Sequence, residues 1–184
     1  MHTQLPDHIR SFPALPRLRR VNTWCGLAAL LASGLLFTAS AAGWKAGEPG
    51  PDLSQIKLEG KVPENLKGKV LLLDFWASWC EPCKASFPVM DELQKRYGAQ
   101  GLVVVAVNVD ENRSDMEEFL KKNSVTFAVL RDAAQKLVAQ AGIATMPSSF
   151  LIDRQGRVRF VHAGFRGEET RKQYEEQIET LLKN

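Results

Sequence analysis

Cys80 and Cys83 stand as Trp79-Cys80-Glu81-Pro82-Cys83, and they are the only cysteines beyond residue 42 of the 184-residue chain. The spacing predicts two thiols one helical turn apart. Cys80 would sit at a helix start, where unpaired N–H groups and the macrodipole favour a thiolate. The thiolate is the form that attacks a disulfide, and Cys83 would be within reach to resolve the mixed disulfide. Pro82 suits the first helical turn, where its missing N–H has no partner to lose. Three other uses of the spacing compete with redox chemistry. C-x-x-C is half of a tetrahedral zinc site, but beyond residue 42 His162 is the one histidine and no further cysteine follows. A structural disulfide would close a short loop and remove little chain entropy, in a domain long enough to build its own core. Covalent haem attachment needs a histidine directly after the second cysteine, and Lys84 stands there.

Two carboxylates lie close to the pair in sequence. Asp74 interrupts the apolar run Val70 to Trp76. Buried, it would take a raised pKa and could exchange protons; at an exposed strand edge it would do neither. Glu81 lies between the cysteines, where a negative charge disfavours a neighbouring thiolate and is expected to raise the Cys80 pKa. As a solvated loop charge it would be screened instead.

The elements that must hold these residues alternate. Val70-Leu71-Leu72-Leu73, continuing to Phe75 and Trp76, reads as a strand buried on both faces. After Cys80, Phe87, Met90, Leu93 and Tyr97 recur at helical spacing up to Gly98, with Pro88 expected to kink the helix. Leu102 to Val109 is a second buried strand, and Ser114-Asp115-Met116-Glu117 reads as a capping box that opens a helix to about Asn123. A short strand at Phe127 to Leu130 and a helix from Ala133 to Ala141 come next. Ser149 to Asp153 and Arg157 to His162 form a hairpin about Asp153-Arg154-Gln155-Gly156, and Glu168 to Leu182 is the last helix. The order β-α-β-α-β-α-β-β-α predicts an α/β domain with a mixed sheet and helices on both faces. Asp110-Glu111 and Glu117-Glu118 read as solvated charges, and His162 as a strand residue without catalytic duty.

The composition, 45% hydrophobic and 24% charged, is that of a globular chain. The net charge of +3 sits in the first 42 residues, which hold Arg10, Arg17, Arg19 and Arg20 against Asp7. The remainder is balanced, so it lacks the basic excess that a nucleic-acid-binding body needs. Arg17, Arg19 and Arg20 precede an apolar core from Leu27 to Phe37 and a small-residue end, Ala39-Ser40-Ala41-Ala42. That is the pattern of a secretory signal, with cleavage expected after Ala41 or Ala42; an uncleaved membrane anchor is the alternative. Either way the segment after it is exported, to the periplasm or its equivalent. Residues 43–52, rich in glycine and proline, read as a linker, and residues 53–184 as one domain.

Phe75-Trp76-Ala77-Ser78-Trp79-Cys80-Glu81-Pro82-Cys83 resembles the active-site strand and helix start of the thioredoxin superfamily. Within it, the chain is similar to the TlpA/ResA-like branch of exported bacterial thiol–disulfide oxidoreductases. Met146-Pro147-Ser148-Ser149-Phe150-Leu151-Ile152-Asp153-Arg154-Gln155-Gly156 resembles that branch's segment around the cis-proline, and the β-α insert over residues 108–130 fits it too. The resemblance runs from about Pro51 to the C-terminus. It implies a thioredoxin fold with a β-α insert before the cis-proline, Cys80 as exposed nucleophile, Cys83 as resolving thiol and a redox disulfide between them. It also implies Pro147 as the cis-proline facing the pair. Met146 and Trp79 would line the substrate groove, in which family members pair a client as an extra strand. Met146 could equally be a core filler. Gly164 matches the glycine that lets substrate approach. An acid at Asp74 looks like the proton acceptor for the resolving cysteine of thioredoxins, whereas many TlpA/ResA-like chains carry asparagine there.

The function implied is dithiol–disulfide exchange with protein clients, as a reductant, with no cofactor. By analogy the clients include apocytochrome c or haem-handling thiols, and a membrane thiol–disulfide reductant would resupply electrons. A thiol peroxidase is the second enzymatic reading, although Leu73 and Ala77 occupy the Pro and Thr positions of its P-x-x-x-T-x-x-C pattern. A non-enzymatic client-binding module using the groove near Pro147 is the third.

Overall fold

Every residue of Val70–Trp76 (β1) is buried, as the apolar run requires of a central strand. The protein's structure, a computed structural model, describes residues 43–184, so the expected signal or anchor over residues 1–42 lies outside the described residues. Leu102–Asn108 (β2), Ala128–Arg131 (β3), Ser148–Ile152 (β4) and Val158–Ala163 (β5) complete one sheet in the order β3-β2-β1-β4-β5. β1, β2 and β3 are parallel; β4 runs antiparallel to both β1 and β5. The helices are Glu81–Tyr97 (α1), Arg113–Lys122 (α2), Lys136–Ala141 (α3) and Glu168–Leu182 (α4). The order of elements and the mixed sheet are those expected, and this is the thioredoxin fold.

Strand periodicity divides the core in two. Leu71, Leu73 and Phe75 face one side, with Leu53, Leu130, Leu137, Phe150 and Val158. Val70, Leu72 and Trp76 face the other, with Cys83, Phe87 and Met90 of α1 and with Tyr174, Ile178 and Leu181 of α4. Asp74, two residues from both Leu72 and Trp76, belongs to this second side. α1 continues through Pro88, which deprives the Lys84 carbonyl of its usual donor.

Three local expectations are corrected. Ser114 does not cap α2: Asn112 is the N-cap residue and makes no side-chain cap bond, while Glu117 pairs instead with Arg113 at 2.8 Å. Residues 43–52 lie along the domain: Trp44 packs tilted against Phe75 and edge-to-face against Phe150, and the Gly47 and Gly50 amides donate to Val158 and Gly156 carbonyls at 2.7 and 2.8 Å. Asp110 is buried, because the loop after β2 turns inward over the end of β1 rather than out to water. Among the described residues no helix is long and apolar enough to cross a membrane.

Candidate active site

β1 delivers the chain to the site, and the hydrogen bonds at its end fix the course of the cysteine loop. The Val109 amide donates to the Trp76 carbonyl at 3.0 Å, so the loop after β2 crosses the end of β1. There the Asp110 carboxylate accepts the Ser78 amide on both oxygens, at 3.0 and 3.2 Å, and the Asn108 side-chain amide at 2.9 Å. Arg131 pins the same loop by donating to the Asp110 and Glu111 carbonyls, and its other arm pairs with Glu59 at 3.0 Å. The segment before the cysteines is thus held by a buried carboxylate, Asp110, that the sequence alone presents as a solvated charge. Asn-x-Asp at the exit of a β-strand was the available signal, since both side chains favour local backbone bonds.

Cys80 caps α1. Its Sγ accepts the Cys83 amide at 3.2 Å, and its carbonyl accepts the Lys84 amide at 3.2 Å. Cys80 and Cys83 form a disulfide with 5.3 Å between Cα atoms. Cys80 keeps 5% of its surface accessible and Cys83 none. The order of accessibility is the one expected, but the oxidised pair lies under the surface rather than on it. Trp79, 68% exposed, is the prominent group beside it. The Ser86 hydroxyl donates to the Cys83 carbonyl at 2.8 Å, securing the first turn. Glu81 points into solvent and pairs with Lys84 at 2.6 Å, so an ammonium group already offsets its charge.

The Met146–Pro147 bond is cis. Ser148 pairs with Phe75 across β1 and β4, which sets Pro147 opposite the end of β1 from which the cysteine loop departs. The Gly164 amide donates to the Pro147 carbonyl at 2.7 Å. Gly164 has φ +85°, where a side chain would be strained, and nothing lies within 4 Å of where its Cβ would stand. Met146 is half-buried against both halves of the core. It also shares with Trp79 a cleft of about 380 Å³, whose walls include Val109, Val138, Glu111 and Asp115. Trp79 and Met146 thus share the walls of one cleft.

Asp74 is fully buried on the α1 and α4 side of β1. Its Oδ1 accepts the Ser149 hydroxyl at 2.6 Å, and Ser149 Oγ lies 2.7 Å from Tyr174 Oη. Among the described residues Asp74 Oδ2 has no partner, and neither has the indole Nε1 of Trp76, two residues on. Burial lifts the Asp74 carboxyl to about 7, against the opposing pull of the Ser149 bond. Burial likewise pushes the Tyr174 phenol well above its ordinary value, and the nearby Asp74 charge adds to it. His162 packs edge-on to Tyr174 at 4.8 Å, and burial lowers its pKa. Ser149 and Tyr174 were legible only as an apolar-strand serine and an inner-stripe aromatic; a phenol buried in such a stripe must find a partner.

The arrangement is a disulfide at a helix N-terminus, a buried carboxyl raised to about 7 on the same side of the sheet as that helix, and a cleft walled by Trp79, the residue before the accessible cysteine. Among the described residues no group of three or more His, Cys, Asp and Glu could hold a metal. The family model described as Redoxin matches residues 45–178. The thiol–disulfide oxidoreductase ResA of Bacillus subtilis is 34% identical over 158 residues, covering 82% of this chain and 88% of that one. ResA of Bacillus thuringiensis is 35% identical over 141 residues, 76% and 80% of the two chains. A solved structure from Chlorobium tepidum, described as a candidate thiol:disulfide interchange protein DsbE, superposes with a TM-score of 0.70 at 40% identity, covering 76% of this chain and 99% of that one.

Proposed function

This chain belongs to the Redoxin family and is a thiol–disulfide oxidoreductase, and we propose that it works as an exported reductant of protein disulfides. The observation that carries the reading is the asymmetry of the pair: Cys80 Sγ receives a backbone N–H and keeps surface, while Cys83 is wholly enclosed. In the reduced protein the Cys80 thiolate attacks a client disulfide. A Cys80–client S–S bond forms, and the client's other sulfur leaves as a thiolate. Asp74 then takes the proton of Cys83, whose thiolate attacks Cys80 Sγ. The Cys80–Cys83 bond forms, the second client sulfur departs, and two electrons have passed to the client. A carboxyl titrating at about 7 is poised to accept and return that proton at neutral pH.

Trp79, Met146, Pro147 and Gly164 form the client-binding rim, with the client backbone lying beside the cis-proline turn. Glu81 modulates the Cys80 thiolate weakly, because Lys84 shares its charge and water screens it. Residues 1–42 direct export or serve as the anchor, with Arg19 and Arg20 on the cytoplasmic side. The clients are apocytochrome c or other haem-handling thiols, and a membrane thiol–disulfide reductant re-reduces the domain. The resemblance of the two motifs to the TlpA/ResA-like branch supports that client class.

The test is equilibration of the protein with glutathione, followed by trapping in the native host. A reductant has a potential nearer to about −270 mV than to about −120 mV. Cys83→Ser then retains clients covalently on Cys80, and apocytochromes among them support the client class. A potential near the oxidising end, or adducts limited to secreted disulfide-bonded proteins, contradicts it.

A further inference from the structure

We propose that Ser149 and Tyr174 are positioning residues that form a one-way hydrogen-bond chain onto Asp74, reserving Oδ2 as the oxygen that takes and returns the Cys83 proton. This role rests on Asp74 being the proton acceptor for Cys83. The hydrogens can be counted. An ionised carboxylate can only accept, so the 2.6 Å contact requires Ser149 to donate to Oδ1. Ser149 has one hydroxyl hydrogen, which is then spent. The 2.7 Å contact to Tyr174 must therefore run from the phenol to Ser149 Oγ. Every hydrogen in the chain points toward Asp74.

Protonation could in principle occur on either oxygen. On Oδ1 it would force Ser149 to turn round and donate to Tyr174 Oη, and the phenol hydrogen would need a new acceptor. Among the described residues Ser149 Oγ is the hydrogen-bond partner of Tyr174 Oη, so no such acceptor is at hand. On Oδ2 the chain stays as it is. Among the described residues Oδ2 is also the carboxylate oxygen without a partner, and Asp74 belongs to the face of β1 whose core cluster includes Cys83.

The groups facing this carboxyl are few. β4 contributes Ser149, β5 contributes His162 opposite Ser149, α4 contributes Tyr174, α1 packs Cys83 into the core cluster on the same face of the sheet, and β2 pairs Ala106 with Asp74. Trp76 on β1 itself offers an unpaired indole N–H. His162 meets Tyr174 through its ring edge and spends Nε2 on Gln177 at 2.7 Å, so it is not in the chain. Among the described residues the carboxyl's hydrogen-bond donor is the Ser149 hydroxyl, which is itself bonded to Tyr174, and no lysine or arginine pairs with it.

The experiment is infrared titration of the Asp74 carboxyl in the oxidised protein between pH 5 and 9, with Asp74→Asn to identify its band. The wild type shows a protonated carbonyl stretch lowered in frequency by the Ser149 bond. In Ser149→Ala the stretch moves to higher frequency and the midpoint rises by about one pH unit, as expected for loss of a hydrogen bond to a charged group. Tyr174→Phe, which keeps the ring and removes only the hydroxyl, moves both in the same direction by less. Ser149→Thr restores both. The pH profile of mixed-disulfide resolution in the reduced protein changes in the same order. Unchanged stretch and midpoint in Ser149→Ala and Tyr174→Phe overturn the chain while leaving Asp74 as acceptor. A wild-type resolution profile in Asp74→Asn instead overturns the acceptor reading itself, whatever the hydroxyl variants do.

Discussion

The two faces of β1 come from one seven-residue strand and have been put to opposite uses. On one face Leu71, Leu73 and Phe75 join an apolar cluster, in which the Trp44, Phe75 and Phe150 rings meet tilted or edge-to-face at 5.1–6.1 Å between centres. On the other, Leu72 and Trp76 flank a buried carboxyl. Both buried side-chain polar atoms without a partner among the described residues, Asp74 Oδ2 and Trp76 Nε1, lie on this second face. Such atoms are costly, and natural cores rarely keep them without a use. One face therefore supplies stability, and the other gives some of it up to hold a buried carboxyl, the group we propose as the proton acceptor. The alternation of side chains along a strand lets both coexist one residue, about 3.3 Å, apart along the backbone.

The division can be broken from either side. The largest effect is expected on the dry face: Phe75→Ala removes a fully buried ring and should cost about 3–5 kcal/mol in chemical denaturation. The reactivity of Cys80 in the folded fraction stays as it was. A changed Cys80 reactivity there would show that the faces are coupled. On the chemical face, Asp74→Asn should do the reverse and stabilise the protein. The folded-state value of about 7 lies above the ordinary value of 3.8, so between these pH values the folded protein holds a proton that the unfolded chain has released. Stability is thus lost as pH rises through that window. The variant removes this slope and gains up to about 4 kcal/mol above pH 7, an upper bound from the size of the shift. It also slows resolution of the mixed disulfide. A variant less stable than wild type at pH 8 would contradict the assignment.

Asp110→Ala gives a smaller loss, about 1–3 kcal/mol, because it strands the Ser78 amide and the Asn108 side chain in a buried loop. Cys80 then loses its fixed approach, and the turnover of insulin disulfides falls with it. The smallest effect is expected at Glu81. Glu81→Gln should lower the midpoint of Cys80 alkylation by less than about half a pH unit, since the charge is exposed and shared with Lys84. A drop of a full unit would place Glu81 among the residues that set Cys80 reactivity.

These differences also mark what the amino-acid sequence could disclose. β1, the cysteine turn and the stripe Phe87, Met90, Leu93 and Tyr97 were legible because periodicity and local chemistry agree there. The cis bond at Pro147 was legible from the motif that surrounds it. Asp110 was misread because a carboxylate followed by Glu111 and Asn112 looks like a solvated run; its burial depends on the loop folding over β1, a contact 32 residues away from Ser78. The α2 cap was misplaced for a related reason, since Ser114 and Glu117 have the right types at the right spacing but lie inside a helix that has already begun at Arg113. The strip 43–52 has the composition of a linker, and only Trp44 hinted that it must find an apolar surface. Ser149 and Tyr174 join only across the sheet and α4, 25 residues apart, where no local pattern operates.

The central claim is that Cys80 is the primed and reachable sulfur and that Cys83 is held in reserve. Alkylation of the reduced protein by iodoacetamide as a function of pH, with each cysteine read separately by mass spectrometry, tests it most directly. Cys80 should react with a midpoint below the ordinary thiol value of about 8.5, and Cys83 should stay unmodified until the protein unfolds. Equal rates at the two sulfurs, or faster reaction at Cys83, would contradict the account.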